Sequence, residues 1–92
     1  MQYAFYGLDK PGGIEVRKAN RDAHVAHLRQ HIDNIVVAGP LLSDDGASMI
    51  GSLIVVDFAD RAALDAFLAA DPYAKAGLFQ SVTVTPWRKV LP

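Results

Sequence analysis

The 92-residue chain has room for one domain, and its formal net charge of −1 gives it no electrostatic attraction for nucleic acid or an anionic membrane. It contains no cysteine, which excludes disulfides, thiol nucleophiles and sulfur-ligated metals. No apolar run approaches the roughly 18 residues of a membrane span, and no signal-peptide pattern opens the chain. We therefore expect residues 1–92 to form a single domain located in the cytoplasm.

The first third of the chain predicts a strand followed by a helix. Residues 2–8 carry three aromatic side chains and are typical of a strand, which the turn-forming residues 9–13 then end. Residues 18–32 have apolar side chains at helical spacing on one face, namely Val25, Leu28 and Ile32. Asn20 is a candidate N-cap for this helix.

The middle of the chain predicts a β-hairpin. Residues 35–42 form a short apolar run that is better explained as a buried strand than as a helix. Residues 43–46, Ser-Asp-Asp-Gly, have the composition of a turn. Residues 49–58 are apolar and β-branched, as expected of the second strand of the hairpin.

The last third predicts a second helix, a short helical turn and a final strand. Asp60 can cap the helix, whose apolar residues again follow helical spacing. The helix cannot continue normally through Pro72, because proline disfavours the helical conformation of the residue before it. Asp71 can cap a new short turn that Gly77 ends. Residues 79–91 then alternate as a strand does, and a proline within them indicates a sheet edge or a bulge.

The element order β-α-β-β-α-β is that of the ferredoxin-like α+β fold, an antiparallel four-stranded sheet with both helices on one face. The other face of the sheet then needs a partner, because apolar side chains alternate to both sides of the first strand. We expect a homodimer in which the two open sheet faces pack against each other.

The topology predicts that His24 and Asp71 lie close together. The two helices of this fold run antiparallel, so the beginning of the first helix and the end of the second share one edge of the domain. Histidine changes charge near neutral pH, and an ionised aspartate can orient its ring and stabilise the imidazolium, so the pair is suited to proton transfer. Two simpler interpretations stay open: Asp71 as a helix cap alone, and His24 as a packing or surface residue.

Three further residues are candidates for substrate binding. Arg21 could clamp a carboxylate with its planar guanidinium, although a solvated side chain or an ion pair with Asp22 or Asp71 explains it equally well. Ser52 could offer a hydroxyl to a ligand, and Tyr73 could form one wall of an apolar pocket.

His27 and His31 form a second pattern, at the i, i+4 spacing that can hold one metal ion between two turns of a helix. No carboxylate is placed as an obvious third ligand, so a solvated polar flank of the helix explains these histidines better. The glycines form no phosphate-binding loop. We expect neither a metal nor a cofactor.

Five short motifs occur in order along the chain: Arg21-x-x-His24, Ala38-Gly39-Pro40-Leu41, Gly51-Ser52-Leu53-Ile54, Asp71-Pro72-Tyr73-x-x-Ala76-Gly77-Leu78 and Val84-x-Pro86-Trp87. With them the chain resembles the YCII-related (YciI-like) family over nearly its whole length. The resemblance implies a ferredoxin-like fold dimerised in the manner of dimeric α/β barrels. It also implies an active site built on a His and an Asp, which correspond here to His24 and Asp71. No family motif covers His27 and His31.

Two classes of function are consistent with these features. The first is a cofactor-independent small-molecule enzyme of lyase or isomerase type, in which His24 and Asp71 perform acid–base chemistry such as elimination, isomerisation or dehydrohalogenation. The alternative is a non-catalytic dimeric ligand-binding or accessory domain in which the pair is a structural hydrogen bond. In both, the expected partners are a small-molecule ligand and a second copy of the chain, with no nucleic acid and no membrane.

Overall fold

A computed structural model describes all 92 residues and confirms the ferredoxin-like α+β architecture. The chain forms, in order, strand β1 (Gln2–Asp9), helix α1 (Ile14–Gln30), a 3₁₀ turn (Ile32–Asn34), strand β2 (Ile35–Leu42), strand β3 (Met49–Asp57), helix α2 (Arg61–Ala70), short helix α3 (Pro72–Lys75) and strand β4 (Phe79–Trp87). The strands form one antiparallel sheet in the order β2-β3-β1-β4. None of the helices is long and apolar enough to cross a membrane.

The core lies between the sheet and the helices. On β1, Tyr3 and Phe5 are buried, and they pair across the sheet with Val56 and Ile54 of β3. These four side chains form one apolar cluster with Phe58, Leu64 and Phe67. Because side chains alternate along a strand, the odd-numbered residues of β1 face the helices and the even-numbered residues face the other way.

The opposite side of the sheet carries apolar side chains that no element of the chain covers. Tyr6 and Leu53 face each other across β1 and β3, and Val37 lies on the same side on β2. All three are exposed. We call this side of the sheet, centred on Tyr6, Leu53 and Val37, the outer face.

Helix α1 begins at Ile14, earlier than the predicted start at residue 18, and ends at Gln30. The N-cap prediction for Asn20 is wrong, since this residue lies within the helix and its side-chain amide donates to a backbone carbonyl one turn earlier at 2.9 Å. The boundary was misplaced because an apolar inner face was expected, whereas the buried side chains of α1 are all polar, namely Arg17, His24 and His27. Ile32 lies beyond the helix and is exposed.

Aspartates begin both of the later helices, as the sequence predicts. The Asp60 carboxylate accepts a backbone N–H of α2 at 2.8 Å, and the Asp71 carboxylate accepts the Tyr73 N–H of α3 at 2.9 Å. Pro72 occupies the first position of α3, where its missing N–H costs nothing. Gly77 ends α3 with a φ of 68°, a conformation that glycine adopts readily.

Strand β4 ends at Trp87, before the predicted end at residue 91. It lies at an edge of the sheet beside β1, so Pro86 belongs to an edge strand, where a residue without an N–H is tolerated. At the other end of this strand pair the register shifts between Leu8 and Asp9. Asp9 is therefore the last residue of β1 and lies where the chain turns towards α1.

Candidate active site

A cavity of about 210 Å³ lies between α1 and the hairpin of β2 and β3. Its apolar walls are formed by Val25, Leu28, Ala38, Pro40, Met49 and Ile54. Its polar groups belong to Arg17, Arg21, His24, Ser52 and Tyr73. An apolar cavity with a few convergent polar groups is the usual form of a small-molecule site.

His24 and Asp71 are hydrogen-bonded to each other. His24 Nδ1 lies 2.9 Å from Asp71 Oδ1 and 3.0 Å from Oδ2, and both side chains are buried. A carboxylate can only accept, so Nδ1 donates and Nε2 of the neutral ring keeps its lone pair. Asp71 Oδ1 also accepts the Tyr73 N–H, and this second bond fixes the carboxylate. Because His24 lines the cavity, the pair offers an oriented base there.

Tyr73 supports the groups on either side of it in the cavity wall. Its ring stacks on the His24 ring with 3.9 Å between centroids and 12° between planes, and Arg17 Cζ lies 4.6 Å from its centroid. Burial raises the pKa of Tyr73, although the positive charge of Arg17 acts in the opposite direction. The hydroxyl of Tyr73 is therefore neutral at physiological pH.

Arg17 is a buried cation that is absent from the sequence candidates. Its Nε and Nη2 donate to Asp9 Oδ2 and Oδ1 at 2.7 and 2.9 Å, and Nη2 also donates to Ser52 Oγ at 2.9 Å. Burial alone would lower the pKa of Arg17, but the hydrogen bond and the negative charge of Asp9 outweigh it and raise that pKa. Arg17 is therefore a fixed positive charge, and its interaction with Tyr73 raises the pKa of the guanidinium further.

Arg17 and Ser52 together bring two hydrogen-bond donors to the cavity. Arg17 lines the cavity with its guanidinium, and because Ser52 Oγ accepts from Arg17, the proton of the Ser52 hydroxyl remains available to donate. Two such donors, one of them charged, are suited to an oxygen atom that gains negative charge. The sequence does hold a signal for Arg17, since it precedes Arg21 and His24 at i, i+4, i+7 spacing along one side of α1.

Arg21 lies at the rim of the cavity. Its side chain is 59% exposed, and Nη1 is 4.0 Å from Asp22 Oδ1. Of the alternatives left open by the sequence, the ion pair with Asp71 does not form, and the contact with Asp22 is long and exposed. Exposed ion pairs contribute little, so the Arg21 cation remains available at the rim.

The prediction of a solvated histidine flank is wrong for His27. This side chain is buried, its Nε2 lies 3.0 Å from the Phe67 carbonyl oxygen, and its ring stacks on the Phe67 ring. His31 is partly buried, and its Nδ1 lies 3.0 Å from the His27 carbonyl oxygen. No three His, Asp or Glu side chains lie together as a metal site would require. The position of His27 around the axis of α1 does not predict its burial, because the group that it contacts, Phe67, belongs to another helix.

The sequence model of the YCII-related domain matches residues 1–88 of the chain. Protein YciI of Escherichia coli is 35% identical over 97 aligned residues, which cover 98% of this chain and 99% of that protein. An uncharacterised protein of Haemophilus influenzae is 34% identical over 97 aligned residues, with the same coverage of 98% and 99%.

Among solved structures, the chain is similar to the 5-chloro-2-hydroxyhydroquinone dehydrochlorinase TftG from Burkholderia phenoliruptrix in complex with 2,5-dihydroxybenzoquinone. The two chains are 34% identical and superpose with a TM-score of 0.89 over 96% of this chain and 94% of that one. An antibiotic biosynthesis monooxygenase that is 18% identical, with a TM-score of 0.59 over 98% of each chain, shares the fold alone.

Proposed function

The chain belongs to the YCII-related family, and on that premise we propose that it is a cofactor-independent enzyme that moves protons on a small oxygenated ring. One observation carries the proposal: an oriented base, His24 with Asp71, lines the same cavity as a pair of oxyanion donors, Arg17 and Ser52. A purely structural hydrogen bond needs neither the donors nor the cavity.

Each of these four residues has a separate role in the proposed reaction. His24 Nε2 removes a proton from a ring hydroxyl, and Asp71 stabilises the imidazolium that forms. The Arg17 guanidinium and the Ser52 hydroxyl stabilise the ring oxygen that becomes negative. General acid–base catalysis of this kind contributes about 10²–10⁴ in rate, and one oxyanion donor contributes about 10²–10³.

Tyr73 and Arg21 are the proposed substrate-binding residues beside this machinery. Tyr73 gives the cavity an aromatic wall with a neutral hydroxyl, and Arg21 offers a cation to an acidic substituent at the rim. A cavity of about 210 Å³ has the size of a site for one substituted six-membered ring.

The dehydrochlorinase TftG suggests a concrete reaction for these groups. On 5-chloro-2-hydroxyhydroquinone, His24 takes a hydroxyl proton and returns it to the ring carbon that bears chlorine, which gives a ketone. Loss of a second hydroxyl proton then forms a new C=O bond while the C–Cl bond breaks, and chloride leaves with the bonding electrons. The net change is loss of HCl and formation of a hydroxyquinone, so no oxidant, reductant or cofactor is consumed.

The test is anaerobic release of chloride from 5-chloro-2-hydroxyhydroquinone by the wild type, by His24→Gln and by the matched control His31→Gln. We expect turnover by the wild type and by His31→Gln, whose altered side chain lies at the end of α1 and outside the cavity. His24→Gln should lose at least about 10² in rate. Undiminished turnover by His24→Gln would remove the mechanism.

A ligand-binding domain without chemistry is the second candidate, favoured by the fact that Asp71 also caps α3. In that case Asp71→Asn lowers the free energy of unfolding by about 1–3 kcal/mol, and 2,5-dihydroxybenzoquinone binds without any chloride release from the chlorinated compound. Turnover that falls with Asp71→Asn favours the enzyme.

We also infer that the functional form is a homodimer in which the outer faces of two copies pack together. Tyr6, Leu53 and Val37 leave an uncovered apolar surface at the centre of the sheet. Contiguous apolar surfaces of this kind usually mark a protein interface, and packing sheet on sheet gives the dimeric α/β-barrel type of assembly.

A further inference from the structure

The last turn of α2 is distorted where it meets α3. In a regular helix the Asp71 N–H would bond to the carbonyl of Phe67, four residues earlier. Here it bonds to the Leu68 carbonyl at 3.3 Å instead, and Asp71 itself is extended (φ −63°, ψ 127°) before Pro72. The Phe67 carbonyl is thereby left without its helical donor, as one of the orphan acceptors of a helix end.

His27 of α1 takes over this carbonyl. Its Nε2 donates to Phe67 O at 3.0 Å, and its ring stacks on the Phe67 ring with 4.8 Å between centroids. His31 touches the same ring edge-on but bonds only within its own helix. Helix α1 therefore contacts the α2–α3 junction at two polar points, His27 on the Phe67 carbonyl and His24 on the Asp71 carboxylate.

We propose that His27 is a positioning residue for the His24–Asp71 pair, a role that rests on the function proposed above. The hydrogen bond from His27 to the Phe67 carbonyl, together with the stacked rings, fixes the last turn of α2 against α1 four residues before Asp71. Pro72 keeps Asp71 extended, and His27 holds the junction at the position from which the Asp71 carboxylate both reaches His24 Nδ1 and caps α3.

The first test uses the wild-type protein and no substrate. The proposal requires a proton on Nε2 of His27, because a carbonyl oxygen can only accept. Nitrogen-15 NMR of the histidine rings identifies which nitrogen carries the proton. We expect a protonated Nε2 on His27, and an unprotonated Nε2 overturns the proposal.

The second test separates hydrogen bonding from packing at His27. His27→Phe keeps an aromatic ring against Phe67 but has no hydrogen-bond donor, whereas His27→Gln keeps an N–H donor. His31→Phe, one turn after His27, is the control. The first readout is the set of NMR signals from the His24 ring. The second is the separate effect of each substitution on kcat and on KM for chloride release from 5-chloro-2-hydroxyhydroquinone.

We expect His27→Phe to shift the His24 Nδ1 signal and to lower kcat about 10- to 100-fold at nearly constant KM, since small misplacements of catalytic groups have effects of that size. His27→Gln should keep most of the wild-type His24 signal and most of the wild-type kcat. His31→Phe should change neither the signal nor kcat. A wild-type His24 signal in His27→Phe overturns the positioning role. If the wild type shows no turnover, the proposed function has failed, and the His24 signal still decides the role of His27. If His27→Phe does not fold, the tautomer of the His27 ring in the wild type decides that role.

Discussion

At the scale of single residues, the ion pair of Arg17 with Asp9 is the most exacting feature of the site. Both side chains are almost fully buried, at 3% and 5% exposure. A buried cation left without its carboxylate is costly, because the low-polarity interior cannot replace the lost solvation. The pair therefore ties the stability of the domain to the presence of Arg17, which we propose as an oxyanion donor.

Asp9→Ala should lower the free energy of unfolding by about 3–5 kcal/mol, the usual cost of removing one member of a buried ion pair. Asp57→Ala is the matched control, since Asp57 pairs with the N-terminal amine at 3.3 Å with both groups more than half exposed. It should cost less than about 1 kcal/mol. Urea unfolding of the two variants measures the difference, and equal losses would contradict the buried-pair interpretation.

Tyr73 should titrate above the ordinary tyrosine value of about 10, because burial raises its pKa. The unfolded chain then loses this proton first, so the stability that the neutral hydroxyl contributes is fully present below about pH 10 and is lost as the pH rises through the folded pKa. The absorbance of ionised tyrosine is measured as the pH is raised, for the wild type and for Tyr73→Phe. The difference between the two titration curves gives the titration of Tyr73. A difference curve centred at or below the ordinary value would contradict this prediction.

The residues of the site differed in how far the sequence could predict them. His24 and Asp71 were predictable because the antiparallel helices of the fold place their backbones at one edge, whatever the side chains do. Arg17 was not, because a buried cation is stable only where carboxylate and hydroxyl groups converge, and Asp9 and Ser52 come from two different strands. The i, i+4, i+7 spacing of Arg17, Arg21 and His24 places them on one side of α1, but it does not show that Asp9 and Ser52 converge on Arg17.

At the scale of the elements, β1 and β3 approach each other most tightly at Gly51. A Cβ there would collide with the carbonyl oxygen of Gly7 and lie 2.8 Å from a methyl group of Leu41. Gly39, on β2, has no heavy atom within 4 Å of the corresponding position. Packing therefore requires glycine at position 51 but not at position 39.

Gly51→Ala should lower the free energy of unfolding by about 1–3 kcal/mol, as overpacking does. Gly39→Ala should leave it unchanged or raise it by about 0.4–1 kcal/mol, because alanine has less freedom to lose on folding. Thermal or urea unfolding of both variants gives the comparison. A Gly51→Ala protein as stable as Gly39→Ala would show that the strands can separate without cost.

Helix α1 shows why element boundaries were harder to predict than element order. Its buried side chains are polar, and the aliphatic residues that guided the prediction are half-buried or lie beyond the helix. Hydrophobic periodicity identifies a helix from the apolar residues on its buried face. A helix whose buried residues are arginine and histidine therefore gives a weak signal. The strands, whose inner residues are apolar, were placed within a few residues.

At the scale of the whole molecule, the proposed dimer gives the outer face its role. We expect the wild type to sediment as a dimer at micromolar concentration and Leu53→Glu to sediment as a monomer, since burying an unpaired charge opposes association. Val16→Glu is the matched control, because Val16 on α1 is also 38% exposed but lies away from the sheet. A monomeric wild type, or dissociation by Val16→Glu alone, would show that the outer face is not the interface.

The placement of Arg17 and His24 on one helix has a consequence for how this protein can evolve. Seven residues at 1.5 Å each set their separation along the helix axis at about 10.5 Å, and substitutions elsewhere cannot change that length. The apolar walls, by contrast, come largely from the hairpin, through Ala38, Pro40 and Met49. Mutation can therefore reshape the cavity while the spacing of Arg17 and His24 is inherited intact, and under the proposed function new substrates would then be accepted with the same chemistry.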